Sequence, residues 1–173
     1  MGISPHTFVN KYPGGRPPMS PAPKIMAVQG AAMLVAAALI VIGILGFIPG
    51  ITANFDQLGW AGSRSGALLF GTIAVCAAVN IVHLVIGAAG FWFARSYAGA
   101  RNYLLAGGAI YLALWLYGAL VEFGSNAHVI PLNTAANWLH VILGSIMVLL
   151  GLTLGGQHDP TKRRPRLRRA ATH

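Results

Sequence analysis

The sequence predicts an all-α integral membrane protein whose four transmembrane helices form two hairpins, with both termini in the cytoplasm. Composition is the first reason: apolar residues make up 55% of the 173-residue chain and charged residues only 9%, against about 25% charged residues in a soluble domain. The second reason is a series of four long apolar stretches separated by charged or glycine-rich breaks. The third is the uneven distribution of basic residues between the two sides of the predicted membrane.

Hydropathy places the four spans in a single transmembrane domain over residues 24–156. The spans are predicted at residues 25–48, 66–93, 103–123 and 134–155. Each can cross a hydrocarbon core of about 30 Å at a helical rise of about 1.5 Å per residue. Pro49 and Gly50 break the chain after the first span, and Gly155 and Gly156 end the fourth.

The two ends of the chain lack such apolar stretches. Residues 1–23 hold six of the ten prolines and are predicted to form a disordered cytoplasmic tail, because proline removes backbone hydrogen-bond donors and fixes φ. Residues 157–173 form a basic cytoplasmic tail. Its cations are expected to contact anionic lipid headgroups; they are Lys162, Arg163, Arg164, Arg166, Arg168 and Arg169.

The orientation follows from the charges that flank the spans. With four spans, eleven of the twelve Lys and Arg residues lie on the side of the termini, and only Arg64 lies on the other side. Loops rich in Lys and Arg remain in the cytoplasm. Both termini are therefore expected to be cytoplasmic.

One motif occurs twice inside the apolar stretches. Asn80, His83 and Gly87 read N-x-x-H-x-x-x-G, and the same pattern returns 57 positions later at Asn137, His140 and Gly144. Asn and His three residues apart share one face of a helix. The recurrence in the second and fourth spans, which run in the same direction, predicts a parallel repeat of two hairpins.

The polar side chains of this motif have two interpretations. In hydrocarbon an unpaired polar group costs several kcal/mol, so Asn80, His83, Asn137 and His140 are expected to face the interior and to hydrogen-bond between helices. Small residues would then allow the helices to approach closely: Gly87, Gly90, Gly107, Gly118 and Gly144. The alternative is a binding site, in which His83 and His140 hold a haem b, a quinone, a lipid or a small solute.

The sequence contains few of the residues that catalysis or metal binding requires. Cys76 is the one cysteine, and the three acidic residues are scattered. There is no nucleophile–base pair, glycine-rich phosphate loop or cluster of metal ligands. We therefore expect no enzymatic activity, no metal and no resident cofactor. Nucleic acid is not an expected partner, because the basic residues flank apolar stretches or lie in the tail.

Several segments together resemble a family of small four-helix integral membrane proteins, widespread in actinobacteria and described as a domain of unknown function. The resemblance covers about residues 29–154 and rests on these segments: Gly46–Gly50, Ser65–Ala67, Asn80–His83 with Gly87 and Gly90, Tyr103–Gly107, Tyr111–Gly118, and Pro131–Thr134 with Asn137–His140. It implies a four-span fold in a bacterial plasma membrane and implies no activity. Relatives often carry an acid where this chain has Ala136.

The resulting functional prediction is a non-enzymatic, small multispan plasma-membrane protein. It would act as an accessory or assembly partner of a larger membrane complex, with a membrane protein or a second copy of itself as partner. The alternatives are binding of haem, quinone or lipid at His83 and His140, or a role as a small transporter subunit.

Overall fold

The computed structural model describes residues 25–155. The predicted tails, with the six basic residues expected to contact lipid, lie outside the described residues. Four helices dominate the described part, and their bounds are α1 Ala27–Leu45, α2 Ala77–Phe93, α3 Tyr97–Leu120 and α4 Thr134–Thr153. Among the described residues, α1, α3 and α4 are long and apolar enough to cross a membrane, while α2 is apolar but shorter. The described part of the chain is thus mainly helical, and three of its helices could cross a membrane.

The second predicted span is wrong in its first part. Residues 66–76 are not helical, and α2 has 17 residues, which cover about 25 Å at the helical rise. The preceding segment forms part of a three-stranded antiparallel sheet in the order β1 Thr52–Ala53, β2 Leu68–Leu69 and β3 Ile73–Ala74. The described chain is therefore not purely α-helical.

The backbone of the β2–β3 turn explains this correction. Gly71 has a φ of +70° and Phe70 a φ of +52°, values that an α-helix does not contain. Leu69 is paired with Ile73 across the turn, and Leu69, Ala67 and Val75 are buried in a small core of their own. An apolar stretch reads the same in a hydropathy profile whether it forms a helix or buried strands.

The third helix begins at Tyr97, six positions before the predicted residue 103. The hydroxyl of Ser96 caps it by accepting a hydrogen bond from the Gly99 backbone N–H at 3.1 Å. Arg101, taken as part of the loop, lies inside the helix. A long basic side chain can remain in a helix near a membrane surface when its stem packs on apolar groups.

The helices pack as two hairpins, α1 with α2 and α3 with α4, and the hairpins meet mainly through α1 and α3. The end of the bundle where α1 and α3 finish and α2 and α4 begin is called the loop end below. The main core lies between the hairpins and includes Val28, Ala32, Val35, Leu39, Leu104, Tyr111 and Met147.

The two hairpins repeat each other in their backbone contacts. A Cβ added at Gly87 would lie 2.7 Å from the Ala36 carbonyl oxygen, and one added at Gly144 would lie 3.0 Å from the Gly108 carbonyl oxygen. Gly144 lies 57 positions after Gly87, and Gly108 lies 72 positions after Ala36. The repeat predicted for the second helix of each hairpin therefore extends to the first helix.

The difference between the 57-residue and 72-residue spacings also shows where the two hairpins differ in length. Between matched positions the first hairpin has 72 − 57 = 15 more residues than the second. These residues belong to the longer connection that carries the sheet. The sheet is thus an addition to the first hairpin at the loop end.

Candidate functional site

The sheet and the start of α4 are joined by the side chain of Asn133. Its Nδ2 donates to the Thr72 carbonyl oxygen at 2.7 Å, and its Oδ1 accepts from the Ala74 backbone N–H at 3.3 Å. The same oxygen caps α4 by accepting from the Ala136 N–H at 2.9 Å. One amide therefore fixes strand β3 of the first hairpin to the α4 terminus of the second.

Below this junction lies a cavity of about 250 Å³ between the hairpins. Its walls come from α2, α3 and α4 with Ile42 of α1, and its cover comes from residues 69–75 in and after the sheet and from residues 130–132. The lining residues are Ile42, Leu69, Ile73, Ala74, Val75, Val79, Val82, His83, Ile86, Ile110, Tyr111, Leu114, Ile130, Pro131, Leu132, Ala136, Leu139 and His140. All but His83, Tyr111 and His140 have apolar side chains.

The three polar side chains of the cavity lie together, with Tyr111 in ring contact with both histidines. The ring centroids of His83 and Tyr111 are 6.3 Å apart, and those of Tyr111 and His140 are 5.6 Å apart. His83 and His140 are each 8% exposed and Tyr111 is 3% exposed. Each histidine lies six residues after the first residue of its helix, about 9 Å along the axis. The two imidazoles therefore lie equally far from the starts of their own helices.

Hydrogen bonding fixes the tautomer of His83. Its Nδ1 lies 2.9 Å from the Val79 carbonyl oxygen. A carbonyl oxygen only accepts, so Nδ1 donates, and Nε2 of the neutral ring is left as an acceptor. The Nδ1 of His140 is buried and has no hydrogen-bond partner among residues 25–155. Both rings thus retain hydrogen-bonding capacity at the cavity.

The structure separates the asparagines of the motif from the histidines. The Asn80 side chain is fully buried against Gly46, where an added Cβ would overlap its amide group. Asn137 packs in the same way against Gly118. Neither residue lines the cavity between the hairpins. Asn80 and Asn137 thus mark matched contacts within each hairpin.

The interhelical hydrogen bonds expected from the motif are not found in the described part of the chain. Both polar atoms of the Asn80 amide and the Asn137 Oδ1 are buried without a partner there, and His83 bonds to its own helix. The glycines named with the motif do meet neighbouring helices closely. Gly87, Gly90, Gly107, Gly118 and Gly144 each lie where a Cβ would overlap a side chain or backbone of another helix.

Sequence reasoning missed Tyr111 and Asn133 as parts of the site. Tyr111 entered the sequence analysis only within a family segment, yet it packs beside both imidazoles in the cavity. The repeat itself contains a signal that identifies Tyr111 as unusual. Tyr111 lies 72 positions after Leu39, so a buried phenol occupies the position where the first hairpin has a buried leucine.

Axial ligation of a haem requires both imidazoles to approach one iron atom. Tyr111 packs beside both rings, and haem binding at His83 and His140 stays a prediction. No group of three or more His, Cys, Asp or Glu side chains that could hold a metal ion occurs in the part of the chain the structure describes. The site is therefore an apolar cavity with three neutral polar groups.

Comparison with known proteins identifies the family. The model of the Domain of unknown function (DUF4383) matches residues 29–153, which is most of the chain. The chain belongs to the DUF4383 family. The matched range contains α2, α3 and α4, all of α1 except its first two residues, and every residue of the cavity. No curated protein and no solved structure matches the chain.

Proposed function

We propose that this DUF4383 protein is a non-enzymatic membrane protein that binds a small, largely apolar molecule with one polar group, of the quinone or lipid class. The observation that supports this most directly is the cavity itself. It combines an apolar lining with three polar side chains, His83, Tyr111 and His140, in which Tyr111 contacts both histidine rings. Apolar cavities with a few convergent polar groups are typical ligand sites.

The polar groups define what the ligand must offer. The Nε2 of His83 accepts a hydrogen bond in the neutral tautomer, while the Tyr111 hydroxyl can donate or accept. A hydroxyl or carbonyl oxygen on an otherwise apolar molecule satisfies both side chains. A charged headgroup would be costly to bury here because no charged side chain lines the cavity.

The ligand would enter from the side, through the lipid. Val82 of α2 and Ile110 of α3 line the cavity and are 51% and 54% exposed. Both belong to helices whose outer surfaces are apolar, which in a membrane protein face hydrocarbon. A molecule dissolved in the bilayer therefore has a direct path between α2 and α3.

Binding can be measured with a short-chain benzoquinone titrated into the purified full-length protein. Tyr111→Phe should weaken binding about fivefold, the loss of one neutral hydrogen bond. The matched control is Tyr103→Phe, because the Tyr103 hydroxyl is also buried but lies outside the cavity. Ala136→Phe should fill the cavity and abolish binding, whereas Ala113→Phe on an exposed face should not. Equal affinities for all variants would remove the proposal.

We further propose a bacterial plasma-membrane location in which all four helices cross the membrane and both termini are cytoplasmic. The asymmetry of eleven basic residues to one supports this. Protease added to intact cells should cleave a tag inserted near Asp56 and leave tags at either terminus uncut. Cleavage of a C-terminal tag would overturn the orientation. The accessory and transport roles remain predictions.

A further inference from the structure

A second cavity at the loop end has a different chemical character from the one between the hairpins. It has a volume of about 540 Å³ and lies between residues 63–64 of the first hairpin and residues 123–128 of the second. Its polar lining consists of Ser63, Arg64, Ser125, Asn126 and His128. It shares no residue with the first cavity.

Arg64 gives this second cavity, called the groove below, its charge. Within residues 25–155 its guanidinium makes no ion pair and no hydrogen bond with another residue. The two acidic residues of that part of the chain, Asp56 and Glu122, do not line the groove. A guanidinium presents five N–H donors in a planar fork. The groove therefore contains one unneutralised cation.

The neighbouring polar groups add further donors. The Nδ1 of His128 accepts a hydrogen bond from the Gly124 backbone N–H at 3.1 Å, so the neutral ring carries its proton on Nε2. That nitrogen is buried and has no partner in the described part of the chain. The hydroxyls of Ser63 and Ser125 and the amide of Asn126 can donate as well.

We propose that this groove binds a phosphate group. A fork of charged donors with several neutral donors beside it matches the oxygens of a phosphate monoester or diester. Phe123 forms the apolar wall of the groove and also lines a small pocket with Trp115 and Trp138. Trp residues concentrate at the headgroup level of a bilayer, so both a phospholipid headgroup and free phosphate can reach the site.

The test compares Arg64→Gln with Arg95→Gln in the full-length protein. Arg95 stacks on Trp92 with 4.3 Å between the guanidinium carbon and the ring centroid and lies at the opposite end of the bundle. Calorimetric titration with inorganic phosphate measures the free anion. Native mass spectrometry after partial delipidation counts the phospholipids that remain bound. The basic tail is present in every sample and therefore contributes equally.

We expect Arg64→Gln to weaken one of the two interactions about tenfold, the loss of one charge-assisted contact, while Arg95→Gln changes neither. Weaker binding of inorganic phosphate identifies the free anion as the ligand, and loss of a retained phospholipid identifies a headgroup. His128→Phe should weaken the same interaction, since it keeps the ring and removes the donor. If Arg64→Gln and Arg95→Gln behave alike in both measurements, the proposal is overturned. The hairpin cavity plays no part in either outcome.

Discussion

Asn80 is the most deeply buried polar residue of the described structure. It is fully buried, and its amide packs against Gly46 at the end of α1. A methyl group at Gly46 would overlap both the oxygen and the nitrogen of that amide. The backbone at Gly46 is right-handed, with a φ of −62°, so the glycine is needed for space and not for its conformational freedom.

The Gly46→Ala variant should therefore lose about 1–3 kcal/mol of unfolding free energy, the usual cost of overpacking. Gly30→Ala is the matched control, because Gly30 lies inside α1 and a Cβ there has no neighbour within 4 Å among the described residues. That variant should gain up to about 1 kcal/mol from helix propensity. Denaturant titration in mixed micelles measures both. Similar changes in the two variants would show that the Asn80 contact is loose.

Tyr111 and the histidines show what the motif could and could not reveal. Spacing alone placed Asn80 with His83 and Asn137 with His140 on common helix faces. The structure agrees in burying Asn80, His83 and His140 and in leaving Asn137 only partly exposed. It could not separate the asparagines from the histidines, because the neighbour of each depends on how the hairpins dock. The asparagines pack against Gly46 and Gly118. The histidines pack beside Tyr111 in the cavity between the hairpins.

At the scale of elements, the connection between α1 and α2 is the part that hydropathy misread. The segment from Gly66 to Val75 is apolar enough to continue a helix, yet it contains the turn at Gly71 with a φ of +70°. Local composition is the same in both cases, and only the pairing of Leu68 and Leu69 with β1 and β3 distinguishes them. Such pairing depends on residues distant in sequence.

The sign of one stability change distinguishes strand from helix here. In a continuous helix Gly71→Ala would stabilise the protein by about 1 kcal/mol. In the turn of the sheet the same change should destabilise it by about 1–2 kcal/mol, because an L-residue is strained at positive φ. A Cβ at this position meets nothing within 4 Å in the described structure, so the effect is conformational. If Gly71→Ala stabilised the protein, the result would contradict the turn and support the continuous 28-residue helix predicted over residues 66–93.

The Asn133 junction makes a second prediction at this scale. Asn133→Ala should cost about 2 kcal/mol because it removes the α4 cap together with the contacts to β3. Asn133→Asp keeps the acceptor and loses only the bond to the Thr72 carbonyl, so its cost should lie between that of Asn133→Ala and zero. Thr153→Ala, whose hydroxyl bonds only within α4, should be nearly neutral. An Asn133→Asp variant as stable as the unchanged protein would mean that the bond to the Thr72 carbonyl contributes nothing.

Across the whole molecule, the repeat organises the fold and its exceptions locate the candidate site. The pairs Gly87 with Ala36 and Gly144 with Gly108 carry the same close contact in the two hairpins. The two hairpins differ in two features: the first has the inserted sheet, and the second has Tyr111 at the position that matches Leu39 of the first. Both the sheet and Tyr111 border the cavity. The 57-residue recurrence was visible in the sequence, but the 72-residue offset was not, since α1 and α3 share few residue types at matched positions.

The central claim is that a bilayer-soluble molecule occupies the cavity between the hairpins. A photoreactive quinone analogue in proteoliposomes tests it most directly, with the labelled residues mapped by mass spectrometry. Labels should fall on residues 79–86 of α2 and 136–140 of α4, should decrease with excess unlabelled quinone, and should disappear in Ala136→Phe. Labels confined to exposed residues such as Leu34 and Leu149, unaffected by competition or by Ala136→Phe, would contradict the claim.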